Sequence, residues 1–260
     1  MKTTAQGHSI VNVHDMMRLI REHAATHRAH GYAPVFCLDV DGLLMDNRHR
    51  TLAILRELVL EADIPWFTQA MSQMTLEDIG YGAKETVRGL HQKYGFDPVY
   101  TSKVMVEELA NTVYKFWFDR FFTNEYQVHD VPIIGALRLV QELRDADIGI
   151  VYVTGRDEPG MGVGFRNSLQ QHGFPLPGTE GVRAILKPKF EMKDPEFKKN
   201  TLELLQTIGM RVIGLLDDNT HNVNIVVDLC NLPILYVSSS VSTLTNLHPG
   251  ALVLESFTTS

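Results

Sequence analysis

Apolar residues recur along this chain in more than one rhythm. Over residues 10–27 they fall at helical spacing, with Ile10, Val13, Met16, Met17 and Ile20 on one face, which predicts an amphipathic helix. Gly31 and Pro34 interrupt that pattern. PVFCLDV follows, a short apolar run that reads as a buried strand stopped at the turn Asp39-Val40-Asp41-Gly42. Over residues 48–129 the rhythm is helical again, through TLAILRELVLEAD, LEDIGYGAKETVRGLHQKYG and SKVMVEELANTVYKFWFDRFF, and strand-like runs are scarce.

Beyond that block the pattern alternates. IGALRLVQELRDAD predicts a helix, residues 149–153 a strand, GFRNSLQQHG a helix and VRAILK a short strand. Residues 194–208 read as a helix with Asp194 as N-cap and Pro195 at the first helical position. Residues 211–216 predict a strand, 222–229 a helix, and PILYV the last clear strand; the tail after Pro249 carries no pattern. Strands alternating with helices imply crossover connections and a parallel sheet. The expected architecture is therefore an α/β core of residues 1–47 and 130–260, split after its first strand by a helical insertion of residues 48–129. An insert at that position is suited to act as a lid over the strand's carboxyl end.

Composition narrows the function. The formal net charge is -7, which argues against a basic nucleic-acid surface but leaves room for a local site that takes a small phosphorylated molecule. Cys37 and Cys230 sit in or beside apolar runs and read as buried small hydrophobes in a reducing compartment. No stretch approaches the roughly 18 apolar residues of a membrane span, and no apolar run with a cleavage site opens the chain, so a cytoplasmic protein is expected.

Ligands of an open parallel sheet bind beyond the carboxyl ends of its strands. There the sequence places Asp39-Val40-Asp41, then Thr154-Gly155-Arg156-Asp157, then Lys198 and Lys199 early in a helix, then Asp217-Asp218-Asn219. Together they suit phosphoryl transfer through a carboxylate. Asp39 is the candidate nucleophile. Asp41 is the candidate acid that protonates the leaving oxygen and then activates water. Acidic groups alone repel phosphate, and Mg2+ held by Asp39, the Asp41 carbonyl and Asp218 would offset that with hard oxygen ligands. Thr154 offers a hydroxyl and an N–H to phosphate oxygens, and Lys198 a fixed positive charge.

The set LDVDG, YVTGRD, DPEFKKN and LLDDNTHN resembles the motifs of the haloacid dehalogenase-like superfamily, in order and over most of the core. The resemblance implies a Rossmann-like three-layer core, a helical cap at the first insertion point, a magnesium cofactor and an aspartyl-phosphate intermediate. Asp39 would be nucleophile and metal ligand, and Asp41 acid, base and carbonyl ligand. Thr154, with Gly155 and Arg156, would bind phosphate. Lys198 would steady the intermediate, and Asp218 would hold the metal with help from Asp217. Leu43 stands where the usual pattern has Thr, and Asn222 where many members have a third acid. Two lysines compete for the third motif. Lys187-Pro188 resembles one form, and Lys198 the form of polynucleotide 3'-phosphatase domains; Lys198 is preferred. Dehalogenases of the group lack the second acid, so Asp41 favours phosphate chemistry. The expected activity is a phosphomonoester hydrolase acting on a small metabolite or nucleotide. A 3'-end phosphatase, a sugar-phosphate mutase and a non-catalytic phospho-ligand binder are the alternatives.

Other features are set lower. His23, His27 and His30 read as a solvated helix end, and His221 as a neighbour of the acidic pair. The run Tyr114, Phe116, Trp117, Phe118, Phe121, Phe122 reads as helix core. Gly160, Gly162 and Gly164 read as a loop, either mobile or admitting phosphate. Arg156 has two readings: it binds phosphate, or it braces the turn by pairing with a carboxylate.

Overall fold

The computed structural model describes residues 2–61, 65–80, 82–94, 103–237 and 246–258. The chain forms two compact units, Met1–Asp46 with Pro132–Ser260, and Asn47–Val131. In chain order the elements are β1 (Lys2–Thr3), β2 (Ser9–Val11), α1 (Val13–Ala29), β3 (Pro34–Leu38) and the short β4 (Met45–Asp46). The helices α2 (Arg48–Glu61), α3 (Pro65–Gln73), α4 (Ala83–Tyr94) and α5 (Lys103–Phe121) follow. Then come the short β5 (Val131–Pro132), α6 (Ala136–Asp145), β6 (Gly149–Asp157), α7 (Glu158–Gln171) and β7 (Val182–Lys187). The chain closes with α8 (Asp194–Thr207), β8 (Arg211–Asp217), α9 (Thr220–Ile225), β9 (Leu232–Tyr236) and β10 (Leu252–Leu254).

Eight strands form one sheet in the order β1-β2-β10-β9-β8-β3-β6-β7. Of these, β1 runs antiparallel to β2, and every other neighbouring pair is parallel. Alternate residues of the central strands feed two separate cores. Phe36, Leu38, Ile150, Tyr152, Ile213 and Leu216 pack with Met16 and Ile20 of α1, Leu139 and Leu143 of α6, and Phe165 of α7. Val35, Cys37, Val151, Val153, Val212 and Leu215 pack with Phe197, Leu202 and Leu205 of α8. This is why PVFCL is apolar without alternation: both faces of β3 are covered, and all five residues are buried. The result is the expected three-layer α/β arrangement. Both cysteines are free; Cys37 is buried in this second core, and half-buried Cys230 packs against it.

Several boundaries differ from the sequence reading, each for a local reason. Helix α1 starts at Val13, not residue 10, because Ile10 pairs with Val253 in the sheet and Asn12 caps the helix, its Oδ1 accepting from the Asp15 N–H at 2.8 Å. Asp194 is not the N-cap of α8. Lys193 holds that place, and the Asp194 carboxylate is taken instead by Lys187 at 2.8 Å. Gly160, Gly162 and Gly164 lie in helix α7 and not in a loop. Each glycine costs a helix roughly 1 kcal/mol. The Asp157 cap, which accepts from the Gly160 N–H at 2.8 Å, Pro159 in the first turn and burial of Met161, Phe165 and Leu169 offset that cost. Strand β6 runs on through Asp157, well past residue 153, because β7 continues beside it. Helix α9 is set by Asn219, whose Oδ1 accepts from the His221 N–H, and ends at Ile225.

The second unit is helical with its own core, built on Leu52, Ile54, Leu55, Leu58, Phe67, Val87, Leu90, Val113, Trp117 and Phe121. Of the aromatic run read as core, Trp117 and Phe121 are buried and Phe116, Phe118 and Phe122 pack against them half-buried, while Tyr114 is exposed. Trp117 donates its Nε1 hydrogen to Thr51 Oγ1 at 3.0 Å. Arg50 and Asp130, near the two ends of this unit, form a fully buried bidentate pair at 2.8 and 2.5 Å. The Arg50 guanidinium also donates to the Phe121 carbonyl at 3.1 Å. Ala62, Asp63, Tyr81, Gly95 and Ser102 of the periodic stretches lie outside the described residues.

Asp78 in this unit gives a pH test. Burial alone would push its carboxyl up, but hydrogen bonds from Lys93, the Thr75 backbone and Tyr94 outweigh burial and bring it down to about 2. A carboxyl held low in the fold stabilises above its ordinary value near 3.8, and that contribution is lost as pH falls through about 2. With Lys93 half exposed, the contribution at neutral pH is ~1–2 kcal/mol. Urea titrations are expected to show Asp78→Asn destabilised by that amount at pH 7 and matched to the parent at pH 2. Equal loss at both pH values would remove the charge as its origin.

Candidate active site

Register in the sheet brings the separated motifs together. Leu38 of β3 is level with Leu216 of β8 on one side and Tyr152 of β6 on the other. The next residue, Asp39, donates its N–H to the Leu216 carbonyl at 3.0 Å, which sets it beside Asp217. After Asp39 the chain turns. The Leu44 and Met45 N–H groups both return to the Val40 carbonyl, and Gly42 takes a positive φ of 75°. Leu43, where Thr is usual, is fully buried in the core.

Lys198 is the hub of this cluster. It rides on α8, is 1% exposed, and its Nζ lies 2.9 Å from Asp39 Oδ1 and 2.5 Å from Asp217 Oδ2. The other oxygen of Asp217 accepts from the Asn219 N–H at 2.9 Å and from Asn222 Nδ2 at 3.0 Å. Asp217 thus accepts from both the lysine and the turn. Lys187 is engaged elsewhere. Its Nζ binds Asp194 at 2.8 Å and the carbonyls of Phe190 and Met192 at 3.2 and 3.1 Å. The geometry brings Lys198 to Asp39, the place the third-motif lysine was expected to take.

Asp39, Asp217 and Asp218 bring carboxylate oxygens within 4.8 Å of one another. Among the described residues no other group of three or more His, Cys, Asp or Glu converges in this way, so His23, His27 and His30 form no such cluster. Burial pushes the Asp39 carboxyl up to about 8; Lys198 opposes the shift, and Asp217 adds to it. Burial and the neighbouring Asp39 and Asp217 likewise raise Asp218. Burial alone would lower the Lys198 ammonium, but Asp217 and Asp39 outweigh it and keep it protonated. Three buried carboxylates face one ammonium, and the surplus negative charge in low dielectric is costly unless a cation or protons relieve it. One further polar atom is open: the buried Asn222 Oδ1 has no hydrogen-bond partner among the described residues. A hard divalent ion with bound water suits this all-oxygen set.

Asp41 is half-buried and locked from one side. Arg156, 2% exposed, donates from Nε to Oδ2 at 2.9 Å and from Nη2 to Oδ1 at 2.7 Å. This is the carboxylate pairing that one of the two readings of Arg156 expects. Thr154 is fully buried, and its Oγ1 accepts from the Arg156 N–H at 3.3 Å. Between Thr154 and Asp157 the pairing of β6 with β7 shifts register, so Gly155 and Arg156 form a bulge at the sheet's carboxyl edge. A bulge re-aims side chains and frees backbone groups where a strand meets a site. His221 is exposed and contributes its backbone N–H, to Asn219. The sequence reading missed two features of this region, the Lys187–Asp194 pair and the steric demand on Gly42.

No protein-family model and no curated protein sequence matches the chain. By structure it is similar to the "putative phosphatase" of Clostridium difficile, with 12% identity, 86% of this chain and 95% of that one covered, and a TM-score of 0.54. It is also similar to the "putative phosphoglycolate phosphatase" of Lactobacillus delbrueckii subsp. bulgaricus, at 15% identity, 86% and 95% coverage and a TM-score of 0.50. A "putative haloacid dehalogenase-like hydrolase" of Bacteroides fragilis matches at 13% identity, 86% and 97% coverage and a TM-score of 0.49. The first two likenesses place the chain in the same three-layer α/β fold as those structures, the architecture the sequence led us to expect. No helix of the described residues is long and apolar enough to cross a membrane.

Proposed function

We propose that this chain is a magnesium-dependent phosphomonoester hydrolase of the haloacid dehalogenase-like superfamily, acting on a small phosphorylated molecule. The observation that carries it is the buried Lys198 ammonium held between Asp39 at 2.9 Å and Asp217 at 2.5 Å, beside Asp218. Asp39 attacks the phosphorus, and the bond from phosphorus to the leaving oxygen breaks. Asp41 passes a proton to that oxygen. Water then attacks the aspartyl phosphate, Asp41 takes its proton, and the phosphorus–Asp39 bond breaks, releasing inorganic phosphate. Lys198 and the turn at Thr154-Gly155 meet the phosphoryl oxygens. For Asp41 to reach a leaving oxygen it gives up part of its pairing with Arg156, which holds it ready between turnovers. Asp39, Asp218 and the Asp41 carbonyl would hold Mg2+, which supplies charge neutralisation for the incoming phosphate. Asn222 Oδ1 would accept from a water of that ion. The helical unit, entering the sequence just after β3 and its turn, is our candidate for the cap that selects substrate.

The test is release of phosphate from para-nitrophenyl phosphate in Mg2+, stopped by chelation and recovered on adding the ion back. A panel of sugar phosphates, nucleotides and 3'-phosphate oligonucleotides then sorts substrate classes. Absence of Mg2+-dependent hydrolysis across the panel would defeat the reading. Binding of the ion is expected to register without catalysis. At 100-fold over its dissociation constant a ligand specific to the native state adds about 2.7 kcal/mol. Mg2+ should therefore raise Tm in the parent by several degrees and leave Asp218→Asn unmoved. A full shift in that variant would place the ion elsewhere.

A further inference from the structure

We infer that Lys187 is a positioning residue, which acts through Asp194 to hold the Thr154–Asp157 bulge in the shape that receives phosphate. The link to phosphate rests on the function proposed above; the clamp itself rests on geometry alone. Lys187 is the last residue of β7 and is level with Asp157, on the far side of the bulge. Its ammonium is 8% exposed by side chain. It gathers three acceptors from the following segment: the Phe190 carbonyl at 3.2 Å, the Met192 carbonyl at 3.1 Å and Asp194 Oδ1 at 2.8 Å. These contacts tie residues 188–194 to the end of β7 and set where α8 begins.

The pair is also in contact with the bulge. A Cβ placed on Gly155 would lie 2.7 Å from Asp194 Oδ2 and 2.9 Å from its Cγ. The Asp194 carboxylate therefore lies directly over Gly155, and a side chain there would have to push it aside. Gly155 in turn sits between Thr154 and Arg156, whose guanidinium fixes Asp41. One buried lysine thus steadies two things: the backbone of the phosphate turn, and the start of the helix that carries Lys198. It explains why the chain has both third-motif lysines. Lys198 does the electrostatic work at Asp39, and Lys187 braces the frame.

The experiment compares Lys187→Met, Lys187→Arg, Asp194→Asn and the Met/Asn double variant. Amide hydrogen exchange on peptides covering 154–158 is expected to rise about tenfold in Lys187→Met and Asp194→Asn. Peptides from β3 and β8 keep parent rates, and Lys187→Arg restores protection. With para-nitrophenyl phosphate, KM and the inhibition constant of inorganic phosphate rise about tenfold while kcat stays within about threefold, since misplacement of a binding turn costs on that order. The double variant is no worse than either single one, as expected of partners in one interaction. Parent exchange rates over 154–158 in both single variants overturn the clamp, whatever the activity. Raised exchange with unchanged phosphate inhibition overturns its link to phosphate binding. If the parent itself shows no hydrolysis the functional reading fails, and the exchange data still decide the clamp.

Discussion

Asp39→Asn is expected to abolish hydrolysis of para-nitrophenyl phosphate in Mg2+, lowering kcat by on the order of 10^4-fold or more. The amide has the shape of the carboxylate but is a poor nucleophile, and on the proposed function it also weakens one side of the metal set. A loss of activity is informative only if the fold survives, and the electrostatics say that it does. Asp39 is one of three buried carboxylates facing one lysine, and its environment already raises it to about 8. A neutral side chain there relieves repulsion. Lys198 keeps its 2.5 Å partner Asp217, so no buried charge is stranded. The variant should therefore unfold in urea at the parent's midpoint or slightly above it when metal-free. The parent should also trap a hydroxylamine-sensitive phosphoryl label during turnover, and the variant none. An active Asp39→Asn protein, or a label that persists in it, would remove Asp39 as the nucleophile.

How the sequence exposed this site follows from how parallel sheets are built. Each motif lies where an apolar run stops, at Asp39, Thr154 and Asp217, and such runs are legible because both faces of their strands are buried. The shared register of β8, β3 and β6 then brings those ends together. What stayed illegible depends on contacts made across the chain. Strands β1, β2 and β10 span two or three residues each, too short for a period to show. The glycines of EPGMGVGF carry a loop composition, yet the Asp157 cap and the packing of Phe165 hold them in a helix. Asp194 has the right residue type for an N-cap, but Lys187 outcompetes the helix amides for its carboxylate. Arg156 is of a type that suits phosphate and carboxylate alike, and the pairing with Asp41 in its fork depends on a residue 115 positions away. In each case local preference was real, and a charged or packed partner from another element decided the outcome.

Gly42→Ala is expected to be strongly damaging, although it adds a single methyl group. Gly42 turns the chain at a φ of 75°, a region that costs an L side chain roughly 1–2 kcal/mol. The larger effect is steric. A Cβ at this position would lie 2.0 Å from Asp218 Oδ2 and 2.8 Å from its Cγ, so the carboxylate and a methyl group cannot share the space. Asp218 is buried and follows directly on the end of β8, which leaves its backbone little room to retreat. The side chain must leave the position from which it meets Asp39 and Asp217. On the proposed function the metal set is then broken, and kcat/KM should fall by on the order of 10^2-fold or more, with the Mg2+-induced rise in Tm lost. Metal-free stability should fall by ~1–3 kcal/mol. A double-mutant cycle separates strain from clash. Asp218→Ala removes the obstructing carboxylate, so adding Gly42→Ala to it should cost only the backbone strain, less than the same substitution costs in the parent. Equal costs in both backgrounds would show that the methyl group never meets Asp218, and parent-like Mg2+ stabilisation in Gly42→Ala would show that the ion does not depend on that carboxylate.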